Sequence, residues 1–275
     1  MSYLNDATGN TPAHLIYLID ASGSMEATMP GTKKRKIDFI SDILEETAYQ
    51  IYVRSRRGSA VSDRYKIAVY AYNDQVNEVT NGKFISIKEF LQEIPEFGDL
   101  QRRETNTLAA FRKVRGLLGR TIPELGPNSP TPIICHLTDG EYTEKFGNPS
   151  SLMKDILNLD TPDGKVLLEN IFLGNNLLVK PVADSNQWEG VQNDVEIGNK
   201  YAKFLYDHSS TWPDRYIQYF NNTYNSQLSN GTKMFFPAED TNMVKMAFTA
   251  SAATPTKMGP NQSNVSVGKS ADLEG

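Results

Sequence analysis

Cysteine is almost missing from this chain of 275 residues, with Cys135 the single copy. No internal disulfide is therefore possible, which fits a reducing, cytoplasmic setting. Long apolar runs are missing too. Stretches such as residues 15–19 fall far short of the roughly 20 residues a membrane-spanning helix needs. A positive excess is also absent: 28 basic against 33 acidic residues leave a formal net charge of −5, which argues against generic nucleic-acid binding by bulk charge. The opening MSYLNDATGN has no basic region followed by an apolar core and reads as a short leader over residues 1–11, not a secretory signal. No phosphate-cradling G-x-x-x-x-G-K-[ST] occurs. Two basic clusters, residues 33–36 and 54–57, read as a solvated helix start and a solvated helix end.

What is present suffices for a large core, since 39% of residues are hydrophobic. Apolar β-rich runs alternate with helical periodicity. Strands are predicted over residues 14–20, 65–72, 132–140 and 166–173. A short strand is predicted near 75–80, and a last one in KMFFPAED. Helices are predicted over 37–57, 87–94, 105–119, 152–159, 213–226 and 240–250. The third of these opens on a threonine cap, and Asp240 caps the last. His208 is expected to cap the helix that follows it. This order predicts a doubly wound, Rossmann-like α/β domain over residues 12–250, with a mostly parallel sheet and helices on both faces. Residues 174–206 read as an irregular insertion. The polar residues 251–275 read as a disordered tail.

The stretch YLIDASGSMEAT stops an apolar strand at Asp20 and follows it with Ser22 and Ser24. The strand PIICHLTDG ends in the same way, at Asp139. Thr105 and Thr107 open the helix between them. In an open parallel sheet, ligands bind outside the carboxyl ends of the strands, so these loops are expected to converge. Two carboxylates and several hydroxyls are hard oxygen donors. Mg²⁺ suits them, with Mn²⁺ or Ca²⁺ as substitutes. Zinc does not, since nitrogen and sulfur ligands are lacking.

Asp20-x-Ser22-x-Ser24, Thr105 and the strand-terminal Asp139 together resemble the metal-ion-dependent adhesion site of von Willebrand factor type A domains. The resemblance covers roughly residues 12–250. It implies direct metal ligation by Ser22 and Ser24, conditional ligation by Thr105, and Asp20 and Asp139 acting directly or through water. It also implies an open coordination position filled by an acidic side chain of a protein partner. Arg102, Arg103 and Glu104 stand where the family commonly has glycines, which puts mixed charge at the rim. The segment DHSSTWPDRYIQYFNNTYNSQLSNGTKMFFPAED is similar to one in stand-alone, bacterial cytoplasmic members, which are associated with protein kinases, phosphatases or AAA+ ATPases. The function this implies is non-catalytic, Mg²⁺-dependent protein–protein recognition in a signalling or multiprotein assembly.

Two alternatives stand beside it: a scaffold whose metal is purely structural, and an Mg²⁺-dependent hydrolase. Against the hydrolase, neither Ser22 nor Ser24 sits in G-x-S-x-G. The position two residues after Asp20, where haloacid-dehalogenase-type phosphatases need an acid, is Ser22. Cys135 and His136 are strand neighbours, so their side chains point to opposite faces. Most aromatics between Tyr201 and Phe236 read as core, with Trp188 and Trp212 as candidate interface anchors. The closing helix carries Met243, Val244, Met246, Ala247 and Phe248. It reads as a rigid cap over the sheet or, if a partner carboxylate completes the metal shell, as an element that repacks.

Overall fold

The computed structural model describes residues 3–57, 60–97, 104–252 and 254. Seven strands form the main sheet: β1 (Ala13–Asp20), β2 (Tyr65–Tyr72), β3 (Val76–Asn77), β4 (Ile85–Ser86), β5 (Ile133–Thr138), β6 (Leu167–Leu173) and β7 (Phe235–Ala238). Their order is β7-β6-β5-β1-β2-β3, with β4 also pairing β2. The five long strands run parallel, while β3 and β4 are antiparallel to β2. The doubly wound, mostly parallel sheet is therefore the fold. The antiparallel β4 is an addition that periodicity did not signal, because two residues carry no period.

Burial follows from two-sided cover. Every residue of β5 and β6 is buried, as strands sandwiched between helical layers require. Pro237 sits in β7, the edge strand, where its missing N–H breaks no interior ladder. Helices α1 (Lys36–Ser55), α2 (Ile87–Gln92), α6 (Asp214–Tyr224) and α7 (Thr241–Ser251) pack on one face against Leu15, Tyr17 and Ile19. Helices α3 (Thr107–Thr121), α4 (Ser150–Leu157) and α5 (Lys200–Asp207) cover Ile16 and Leu18 on the other.

Several expectations change at this level. Helix α5 begins inside the stretch read as irregular, while residues 175–199 hold short 3₁₀ turns and an antiparallel bridge between Leu178 and Ile197. Its period was obscured because Tyr201, Phe204 and Tyr206 fall close together with Lys203 among them. Asn199 caps it, accepting from Tyr201 and Ala202 N–H. His208 ends α5 instead of starting α6: its Nδ1 bonds the Phe204 carbonyl at 2.7 Å, and its Nε2 meets Ser150 Oγ at 2.7 Å. Helix α3 is capped by Asn106, which accepts from Ala109 N–H, and not by a threonine. Ser251 belongs to α7, where its hydroxyl bonds the Phe248 carbonyl and Tyr17. Residue 253 and residues 255–275 of the expected tail lie outside the described residues, as do Gly58 and Ser59.

The basic cluster at the end of α1 is not uniformly solvated. The Arg54 guanidinium is buried, donating to Tyr224 Oη at 2.5 Å and to the Ala252 carbonyl. Trp212 is core, and Trp188 packs half-buried on Phe236. The residues read as a leader are tied down: Leu4 and Asn5 N–H donate to Asp163, and Arg215 pairs with Asp6.

Candidate metal centre

Chain order reverses around β1, which has β2 on one side and β5 on the other. Such a switch point splays the loops at the strand ends and opens a crevice. Asp20 and Thr138 end the two strands that flank it, and Asp139 follows. Asp20 is fully buried, and both carboxylate oxygens are used. Oδ1 accepts from Ser22 N–H at 2.8 Å, closing a turn that swings Ser22 and Ser24 over the strand end. Oδ2 accepts from Thr138 Oγ1–H at 2.6 Å. Ser22 Oγ lies 3.1 Å from Ser24 Oγ. Ser24 donates to Asp139 Oδ1 at 2.5 Å. Four of the five predicted residues thus form one hydrogen-bonded cluster.

Thr105 stands one loop further. Its N–H donates to Thr143 Oγ1 at 3.0 Å, and its carbonyl accepts from Thr143 N–H at 2.9 Å. It is therefore tied to the loop that carries Asp139. Asn106 N–H donates to the Asn73 carbonyl after β2, which fixes the start of α3 to the same edge. Glu104 is exposed and pairs with Lys145, so its charge is partly answered at the rim. Arg102 and Arg103 lie outside the described residues.

Electrostatics agree with a cation site. Burial, with a further contribution from the Asp139 charge, raises Asp20 from 3.8 to about 6, against the opposing pull of its bonds to Thr138 and Ser22. A positive charge is already aimed at the cluster. Lys36, the first residue of α1, extends its Nζ to 2.7 Å from Asp139 Oδ2. The Asp139 side chain is 0% exposed and that of Lys36 15%, so this pair is largely out of water and not a surface contact. Among the described residues, no group of three or more His, Cys, Asp or Glu is placed to hold a metal ion. Any metal centre here is the mixed carboxylate–hydroxyl kind. The oxygen donor set fits a hard divalent ion, and the Lys36 ammonium stands in for its charge.

Behind the site runs a buried polar chain. Asn170 donates from Nδ2 to Leu205 O and Ser209 Oγ. That leaves its Oδ1 to accept from His136 Nδ1–H at 2.8 Å. His136 Nε2 then accepts from Tyr72 Oη–H at 2.7 Å. Burial holds His136 down to about 4, so the ring is neutral and this direction is consistent. A buried chain therefore links Tyr72, through His136 and Asn170, to the end of α5.

Cys135 lies on the opposite face, 3.5 Å from Glu169 Oε1. Burial pushes both the Cys135 thiol and the Glu169 carboxyl well up. A buried, protonated thiol facing away from its histidine neighbour makes no nucleophilic dyad. A cavity of about 800 Å³ opens at the other end of the strands, bordered by Tyr3, Leu167, Trp212 and Arg215, and none of the five candidate ligands lines it.

Sequence reasoning missed Lys36, Thr138 and Thr143. Thr138 was visible as the residue before Asp139. Lys36 had a subtler signal: a cation in the first turn of a helix opposes the helix dipole, so it calls for a counter-charge elsewhere.

No protein-family model matches the sequence, and no curated protein does. Solved structures that are similar in shape include the vWF domain of the type V pili tip protein Mfa5 from Porphyromonas gingivalis, at 15% identity and TM-score 0.36, covering 48% of this chain and 39% of that one. Proximal thread matrix protein 1 from the mussel byssus matches at 16% identity and TM-score 0.42, over 62% of this chain and 40% of that one. A form of the same protein "with zinc occupied MIDAS motif" matches at 15% identity and TM-score 0.40, over 62% and 40%. This chain thus covers about two fifths of the length of each, and likeness at this level decides nothing about activity. Among the described residues, no helix is long and apolar enough to cross a membrane.

Proposed function

We propose that this chain is a non-catalytic, divalent-cation-dependent protein-recognition module of the von Willebrand factor type A kind. Ser22 and Ser24 would ligate Mg²⁺ directly, Thr105 in one state, and Asp20 and Asp139 directly or through water. Mg²⁺ keeps waters readily, so a shell with few protein ligands suits it. The ion supplies an electrophilic position for a partner's carboxylate. The protein's own residues hold the cluster in register, through Thr138 on Asp20 and Thr143 on Thr105. The partner is an acidic protein surface in a cytoplasmic signalling or multiprotein assembly, with kinase, phosphatase or AAA+ ATPase systems as the candidates.

The observation that carries this reading is the Ser24–Asp139 bond, which joins the loops after β1 and β5 into one oxygen cluster at the switch point. Affinity capture from native lysate with wild type and Asp139→Asn, each with Mg²⁺ or EDTA, tests it. Partners retained only by wild type with Mg²⁺ support the reading. A partner retained equally with EDTA supports the scaffold with a structural metal instead.

A further inference from the structure

Helix α1 begins against its own dipole. Residues 33–36 are all basic, and α1 has no side-chain cap at Arg35. The first-turn backbone N–H groups carry a partial positive charge, so cations there are disfavoured. Lys33 and Lys34 are exposed and Arg35 is half-buried, and Lys34 and Arg35 discharge onto Asp42 and Asp38 of the same helix. Lys36 alone turns inward, to the fully buried Asp139 side chain. Both Asp139 oxygens are then engaged, with Oδ1 accepting from Ser24 and Oδ2 from Lys36.

The charge count of the cluster follows. Asp20 and Asp139 without Lys36 would present two negative charges, and with Lys36 paired they present one. Any ion drawn to this cluster meets a tethered competitor whose local concentration never falls. An intramolecular ligand competes at an effective concentration in the millimolar range or above. The lysine stem is flexible and four carbons long, so the ammonium can leave Asp139 for solvent when a divalent ion arrives. The 15% exposure of Lys36 marks an outward path.

We propose that Lys36 is a built-in counter-cation for this site. It holds the adhesion cluster together without metal and sets the threshold for divalent-ion binding by competing for Asp139. This rests on the metal-dependent reading above and adds a specificity-determining residue to it. Removing an arm that merely supports the site would weaken metal binding. Removing a competitor tightens it.

The test uses metal-stripped full chain, with Mg²⁺ alone as probe, in calorimetric titration and melting. Wild type is compared with Lys36→Met, Lys36→Gln, Lys36→Arg, Asp20→Asn and the double variant Lys36→Met/Asp139→Asn. We expect Lys36→Met and Lys36→Gln to bind Mg²⁺ at least about tenfold more tightly than wild type, roughly 1.4 kcal/mol. In EDTA both should melt below wild type. Lys36→Arg should stay near wild-type affinity, and the double variant should lose the gain. Glutamine keeps a hydrogen-bond donor, so it guards against a methionine variant that fails to fold. Equal or weaker Mg²⁺ binding by both neutral variants, with wild-type binding lost in Asp20→Asn, overturns the role of Lys36 and leaves the metal reading standing. Absence of Mg²⁺ binding in wild type and all variants overturns both.

Discussion

Thr138 gives its hydroxyl hydrogen to Asp20 across 2.6 Å, so the last residue of β5 is bonded to the last residue of β1. The same Thr138 oxygen accepts from Gly140 N–H at 3.2 Å, which turns the chain sharply after the strand and leaves Asp139 facing Ser24. One hydroxyl thus orients both carboxylates. Asp20 needs this support because its own carboxylate is fully buried.

Asp20→Asn keeps the acceptor for Ser22 N–H and deletes the buried charge. Burial and the neighbouring Asp139 raise Asp20 from 3.8 to about 6, so the native state holds this proton more tightly than the unfolded chain does. The resulting cost to wild type is absent below 3.8 and complete above about 6. A shift of that size corresponds to about 3 kcal/mol as an upper bound. Metal-free Asp20→Asn is expected to melt above wild type at pH 8, with the gap closing toward pH 4, and to show no rise with Mg²⁺. A rise equal to that of wild type would remove Asp20 from the site.

Tyr72→Phe tests the buried chain behind the cluster. The change removes one hydroxyl and leaves His136 Nε2 without its donor at a fully buried position. An orphaned buried acceptor costs about 1–3 kcal/mol. Urea unfolding at pH 7 should show a loss of that order, with the slope unchanged. A loss below about 0.5 kcal/mol would mean that the bond contributes nothing net.

Glu169 is buried, bonded only through Oε1 to a weak thiol donor, and its Oε2 lacks a partner. Burial pushes its carboxyl well above the ordinary 4.5, so the folded chain keeps a proton that the unfolded chain releases. Wild-type stability therefore falls as pH rises above 4.5. Glu169→Gln is expected to match wild type near pH 4.5 and to exceed it progressively at higher pH in thermal melts. Parallel pH profiles for the two proteins would contradict a buried, protonated Glu169.

Asp240 caps α7, accepting from Met243 N–H at 2.8 Å. Loss of such a cap costs about 1 kcal/mol, and Asp240→Ala should lower stability by that amount in urea titration. The helix itself is held along its length. Met243, Val244, Ala247 and Phe248 are buried, Phe248 stacks on Tyr17 at 5.7 Å, and Ser251 bonds the same tyrosine. We therefore expect α7 to act as a fixed cover: its amide exchange should be unchanged when Mg²⁺ and an acidic peptide bind. Faster exchange confined to α7 in the loaded state would show the repacking alternative instead.

Much of the sheet was legible because β1, β2 and β5 are largely apolar runs with sharp ends, and β6 is apolar on both sides of Glu169 and Asn170. Asp20, Asp139 and the glycines near them break the pattern, and those breaks are the candidate site. Helix α5 was not legible, because its buried Ala202, Leu205 and Tyr206 make too short a stripe to stand out among the other aromatics. Arg54 and Lys36 were misread for a common reason. Charge patterning along the chain shows which residues are basic, but not which one finds a buried partner.

By itself the sequence determined the alternation of strand and helix, the two strand-terminal aspartates, and the oxygen-only chemistry gathered around them. These depend on side-chain period and type, which are local. Tertiary structure decided the strand order that sets β1 beside β5, the Thr138 bond that orients Asp20, and the turn of Lys36 toward Asp139 across 103 positions of chain. These depend on which loops the fold brings within hydrogen-bond reach. No local propensity encodes that distance, because it is fixed only when both helical layers close over the sheet.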